Sequence, residues 1–126
     1  MQVKQVQKKQ RVTPKEFIRI QLQIWSTLHA IVLPTSILDL LVILALTGEC
    51  EKSDFCRMLC KVKSSLGRET LFTSEQSSRN AVKQAIKLGL IISPHKAHTI
   101  KLAEELEILI EQGTLLNLQL LCLETN

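Results

Sequence analysis

At 126 residues, 45% of them hydrophobic and 22% charged, the chain has material for one core and not for two ordinary domains. Its net charge of +4 is uneven: residues 1–19 carry six basic side chains and one acid, residues 20–102 ten bases and six acids, and residues 103–126 five acids and no base. A basic chain with an acidic end points to a polyanion on one side, with a solvated charged surface as the competing reading. The longest apolar run, Ile37 to Leu46, is interrupted by Asp39 and too short for a bilayer, which argues against a membrane span.

In chain order, residues 1–12 (MQVKQVQKKQRV) are polar and basic without turn chemistry, and read as a flexible basic arm. Thr13, Pro14 and Glu16 then have the pattern of a helix start, with Thr as cap and Pro at the first helical position. The helix predicted over 13–32 carries two apolar stripes, Phe17, Ile20, Ile24, Leu28, Ile31 and Ile18, Leu22, Trp25, Val32. That is wider than one contact surface needs, so one stripe is expected to face a second subunit, giving a homodimer. Pro34, Thr35 and Ser36 break this helix and are expected to cap the next, which runs to about Leu46 and is apolar nearly all round. Such a helix belongs at the centre of a small domain.

Thr47 and Gly48 stop it, and SDFCRMLCKVKSS predicts a third helix with Phe55, Leu59 and Val62 inward and Arg57, Lys61 and Lys63 outward. Thr73 and Gln76 have capping-box spacing, which predicts a helix over 74–88. Ser78, Ala81, Val82, Ala85 and Leu88 gather on one side of it, while Gln76, Asn80, Lys83 and Lys87 stack within a narrow arc with Arg79 beside them. Gly89 ends the helix, and strands at Leu90–Ser93 and Thr99–Leu102 flank a turn around Pro94–His98, which is hairpin spacing. In the extension 103–126, Leu102, Leu106, Leu109 and Ile110 fit a helical face. Leu106, Ile108, Ile110 and then Leu116, Leu118, Leu120 fit strand alternation around a turn at Gln112 and Gly113. Strands are favoured, packed on the domain.

Cys50, Cys56, Cys60 and Cys122 follow a basic N-terminus without the apolar core and cleavage site of a signal peptide, so a reducing, cytoplasmic setting is expected. His29, His95 and His98 do not join the cysteines in close pairs, so buried thiols are preferred over a zinc site and no metal is expected.

The order helix, helix, polar-faced helix, hairpin resembles the winged-helix (winged helix-turn-helix) family of DNA-binding domains over about Leu33 to Leu102. LPTSILDLLVILAL looks like the first domain helix and SDFCRMLCKV like the second. TSEQSSRNAVKQAIKLGLI is similar to the recognition helix with its exit into the wing, and SPHKAH falls at the wing tip. The stretch from Lys63 to Phe72 is longer than the tight turn usual in the family. With a helix ahead of the domain, the nearest likeness is to MarR-like regulators and to winged-helix proteins of plasmids and phages, replication initiators included.

The resemblance implies a mainly α fold with a small β-hairpin, a winged helix-turn-helix over 33–102 with an extra N-terminal helix and a C-terminal apolar extension. It also implies a bacterial, plasmid or phage transcriptional regulator bound to double-stranded DNA. Side chains of the right chemistry are present: Gln76 and Asn80 match adenine, Arg79 and Lys83 guanine or phosphate, Ser74 and Ser77 phosphate, Lys96, His95 and His98 a wing contact, and Lys87 belongs to the same DNA-binding set. No Ser–His–acid order, phosphate-cradling glycine loop or carboxylate pair supports catalysis, so no enzyme and no small-molecule cofactor is expected. The alternative class is an interaction or structural module of a larger assembly, for example of a phage.

Overall fold

The computed structural model describes residues 14–63, 70–94 and 98–112. Among these, five helices and three short strands follow one another: α1 (Pro14–Leu28), α2 (Thr35–Thr47), β1 (Cys50–Glu51), α3 (Lys52–Leu59), α4 (Glu75–Lys87), β2 (Ile91–Ile92), β3 (Thr99–Leu102) and α5 (residues 104–112). The fold is mainly helical with a small antiparallel sheet.

A helix apolar on every side is stable only when surrounded, and α2 is: every residue from Ile37 to Leu44 is buried. Around it pack Ile18 and Leu22 of α1, Phe55 and Leu59 of α3, Val82 and Ala85 of α4, Ile100 and Leu102 of β3, and Leu106 of α5. Asp39 is the polar member of that run, and its carboxylate accepts from Arg19 of α1 as a part-buried ion pair. The hydroxyls of Thr35 and Ser36 do not cap α2. Pro34 is the N-cap, at φ −58° and ψ 149°, because a proline already holds the extended geometry that a cap needs.

α1 and α3 are several residues shorter than their sequence predicts. α1 ends at Leu28, not Val32. The N–H of Ile31 donates to Ser26 O at 2.8 Å and that of Ala30 to Thr27 O at 3.1 Å, a closing pattern that needs a left-handed residue, which Ala30 supplies at φ 55°. Ser26 and Thr27 also turn their hydroxyls back onto Gln23 O at 2.9 Å, a local competition with further helix. Val32 accordingly leaves the stripe it was assigned to and is exposed. α3 stops at Leu59, because Val62 O accepts the N–H of Leu71 at 2.7 Å and the chain leaves the helical path to reach it. Lys61 and Lys63 are exposed, but beyond the helix.

The predicted hairpin forms, with Ile91 opposite Leu102 and Ile92 opposite Lys101. A third strand, β1, was not predicted; it pairs with β3 through Cys50↔Ile100 and Glu51↔Thr99, so the sheet order is β1-β3-β2.

The start of the C-terminal extension is helical, which corrects the strand reading for residues 104–112. Leu106 is fully buried while Leu109 and Ile110 pack against the core and Ile108 faces out. This is the helical pattern and not the alternating one. Glu104, Glu105 and Glu107 fall in the first turn, where the helix dipole favours acids. Residues 113–126, including Cys122 and the remainder of the predicted hairpin, lie outside the described residues, as do the arm 1–12 and Thr13.

Candidate nucleic-acid interface

α4 is held from one side only. Ser78, Val82 and Ala85 are buried against the core, and the Ser78 hydroxyl donates to Cys56 O at 2.9 Å, tying α4 to α3. Cys60 Sγ adds a longer contact to Ser78 Oγ at 3.9 Å. Burial raises the Cys56 thiol above its ordinary range, an effect that the Ser78 hydroxyl partly opposes. Leu88, assigned to the buried side by its spacing, is exposed, because the helix has ended at Lys87 and Leu88 is its C-cap.

Every described residue predicted for the interface lies on the open side: Ser74, Gln76, Ser77, Arg79, Asn80, Lys83 and Lys87 are all exposed. The cap differs from the predicted one. Ser74, not Thr73, holds the N-cap, with φ −141° and ψ 154°, and its Oγ accepts the N–H of Ser77 at 3.1 Å. Gln76 therefore does not close a capping box; its Nε2 donates to Asn80 Oδ1 at 3.0 Å. The helix thus runs over Glu75–Lys87, one residue inside the predicted 74–88 at each end.

Glu75 was missed by the sequence reading. It sits in the first turn, and Arg79 Nη2 lies 3.1 Å from its Oε2. The Glu–Arg spacing of four residues was the available signal. An exposed pair of this kind contributes about 0–1 kcal/mol, so an incoming phosphate or base edge can take the guanidinium at little cost. Lys83 and Lys87 form no ion pair among the described residues. Arg57, on the exposed side of α3, pairs with Asp54 at 3.1 Å.

The hairpin follows α4 directly. The N–H of Leu90 bonds to Ala85 O at 2.9 Å and that of Ala103 to Leu90 O at 3.0 Å, which fixes the sheet against the helix end. His98 is exposed, and its carbonyl accepts the Lys52 N–H at 2.6 Å, joining the hairpin to the start of α3. The wing-tip candidates His95 and Lys96 lie outside the described residues.

Searches with the chain found no matching family model, no matching curated protein and no matching solved structure. Among the described residues, no group of three His, Cys, Asp or Glu side chains could hold a metal ion, and no helix is long and apolar enough to cross a membrane. Cys50, Cys56 and Cys60 are free thiols. A cavity of about 370 Å³ opens between the end of α2, β3 and α5, over Leu44, Leu102 and Ile110, and none of the predicted interface residues lines it.

Proposed function

We propose that the chain binds double-stranded DNA as a bacterial, plasmid or phage transcriptional regulator of winged helix-turn-helix type. In this reading α4 enters the major groove and the β2–β3 hairpin flanks it as a wing. The observation that carries the reading is the open face of α4. Gln76, Arg79, Asn80 and Lys83 project from a helix whose other side is fully taken by the core, with Ser74 and Ser77 at its N-terminus. A major groove admits one α-helix, and base edges are read by side chains of these types near the helix start.

Charge supports the same orientation. Exposed Arg57, Lys61, Lys63, Arg79, Lys83 and Lys87 on α3, the turn after it and α4 outnumber the exposed acids there, Asp54 and Glu75, which pair with Arg57 and Arg79, while α5 carries Glu104, Glu105, Glu107 and Glu111. A polyanion is thereby drawn to one part of the surface and repelled from another.

The test is fluorescence anisotropy against random duplexes at two salt concentrations, followed by selection of bound sequences. Affinity is expected to fall steeply with salt, because each neutralised phosphate releases counterions. Replacing Arg79, Asn80 and Lys83 together by Ala should weaken binding to the selected site by at least about five- to a hundredfold, the value of one good base contact. The melting temperature should hold, since exposed substitutions usually change stability by about ±0.5 kcal/mol. Undiminished binding by a folded triple variant would remove α4 from the interface. Salt-independent or absent DNA binding by wild type would favour the assembly-module reading.

A further inference from the structure

We infer that Glu75 and Arg79 act together on a single G·C base pair, Arg79 donating to the guanine and Glu75 accepting from the cytosine opposite, and that Glu75 sets the base preference at that position. The inference rests on the DNA-binding reading of α4 and adds to it a residue whose charge is the wrong one for DNA. Glu75 begins the helix, one turn before Arg79. Arg79 Nη2 lies 3.1 Å from Glu75 Oε2, and the two side chains are 53% and 50% exposed. The core claims neither of them. Gln76 and Asn80, each one residue further on, bond to one another at 3.0 Å and take no part in the charged pair.

The fit is one of donors, acceptors and spacing. In the major groove a G·C pair presents the acceptors N7 and O6 of guanine and then the N4 donor of cytosine. A guanidinium is a planar fork of N–H donors, so the one directed at Glu75 leaves others for N7 and O6, whereas a carboxylate only accepts. Arg79 Nη2 and Glu75 Oε2 are 3.1 Å apart; guanine O6 and cytosine N4 are hydrogen-bonded to each other, hence about 2.9 Å apart. The protein pair thus meets the base pair donor to acceptor and acceptor to donor at matching spacing. An A·T pair reverses both groups, setting its N6 donor against the guanidinium and thymine O4 against the carboxylate. Arginine alone is less selective, since it also bonds phosphates. Rejection of A·T falls to Glu75, whose charge at the same time weakens binding to every sequence by repelling phosphates.

A specificity role and a structural one give different results. Sequences bound by wild type, Arg79→Ala and Glu75→Ala are selected from random duplexes, and affinities are read by fluorescence anisotropy. Both variants are expected to lose preference for G·C at the same position, by about five- to a hundredfold. Glu75→Ala should meanwhile bind unselected duplex more tightly than wild type, because a negative charge has gone from the interface. Loss of a merely structural residue would weaken both. Glu75→Gln keeps an acceptor without the charge and should retain part of the preference. A chemical test leaves the protein unchanged: N4-methylcytosine at that position covers the groove-facing N4 hydrogen and should weaken wild type but not Glu75→Ala. An unchanged base preference in Glu75→Ala, or an equal response of the two proteins to N4-methylcytosine, overturns this inference while DNA binding by α4 stands. Absence of DNA binding by wild type overturns the DNA-binding reading and this inference with it.

Discussion

Ala30 and Gly89 hold the same position in one hydrogen-bond pattern used twice. After α4, Gly89 N donates to Ile86 O at 3.0 Å and Leu90 N to Ala85 O at 2.9 Å, matching the bonds of Ala30 and Ile31 after α1. Both central residues are left-handed, at φ 78° and φ 55°, where a side chain is disfavoured and glycine is not. A Cβ added at Gly89 would meet nothing within 4 Å, so the backbone alone sets its cost. Gly89→Ala should therefore lose about 1 kcal/mol and Ala30→Gly should gain about 0.5–1 kcal/mol, the gain being limited by the entropy of an unfolded glycine. Urea unfolding reads both as midpoint shifts of opposite sign with unchanged slope.

The thiols give a second residue-scale prediction. Burial raises Cys50, with Asp54 and Glu49 adding to the shift, and burial also raises Cys56. Above the ordinary thiol value of 9.0, the unfolded chain releases protons that the folded one keeps. Stability is then unaffected by these groups below that pH and falls as pH rises through it. The urea midpoint should decline between about pH 8.5 and 10, and less so in a Cys50→Ala, Cys56→Ala variant. An equal decline in both proteins would mean that neither thiol contributes.

Between elements, the Arg19–Asp39 pair decides how firmly α1 sits on α2. The Asp39 side chain is 3% exposed and that of Arg19 18%, so the carboxylate is desolvated and its partner nearly so. Arg19→Met withdraws the guanidinium from a buried carboxylate and should cost about 3 kcal/mol, the lower end for breaking a buried pair. Replacing both, as Arg19→Met with Asp39→Leu, should restore most of that, because an apolar pair needs no mutual compensation. Chemical denaturation of the two single variants and the double one closes the cycle, and simply additive costs would show that the pair does not couple the helices. A second tie to α1 comes from α5. Gln21 Nε2 donates to Leu109 O at 3.0 Å and Trp25 Nε1 to Glu105 Oε1 at 3.3 Å, with the Trp25 ring stacked on His29 at 4.5 Å. α1 is thus fastened along its inner side at several points.

Across the whole molecule, the sequence by itself determined the central helix, the two-sided character of α4 and the hairpin after it. These follow from local rules: an unbroken apolar run, a 3.6-residue period, and a glycine stop followed by short apolar runs about a proline turn. The open face of α4 was legible for the same reason, since Ser78, Val82 and Ala85 point one way and Gln76, Arg79, Asn80 and Lys83 the other whatever the helix packs against. Only the tertiary structure decided the rest. Cys50 and Glu51 become a strand because β3 offers them an edge, and two residues have no periodicity to read. Residues 104–112 matched both periods, and burial of Leu106 with Leu109 and Ile110 against the core selects the helix. The two stripes of α1 were equally apolar on paper. The choice between them fell to Asp39 and the core around it, which draw in Arg19, Ile18 and Leu22 and leave Ile20, Ile24 and Leu28 outside.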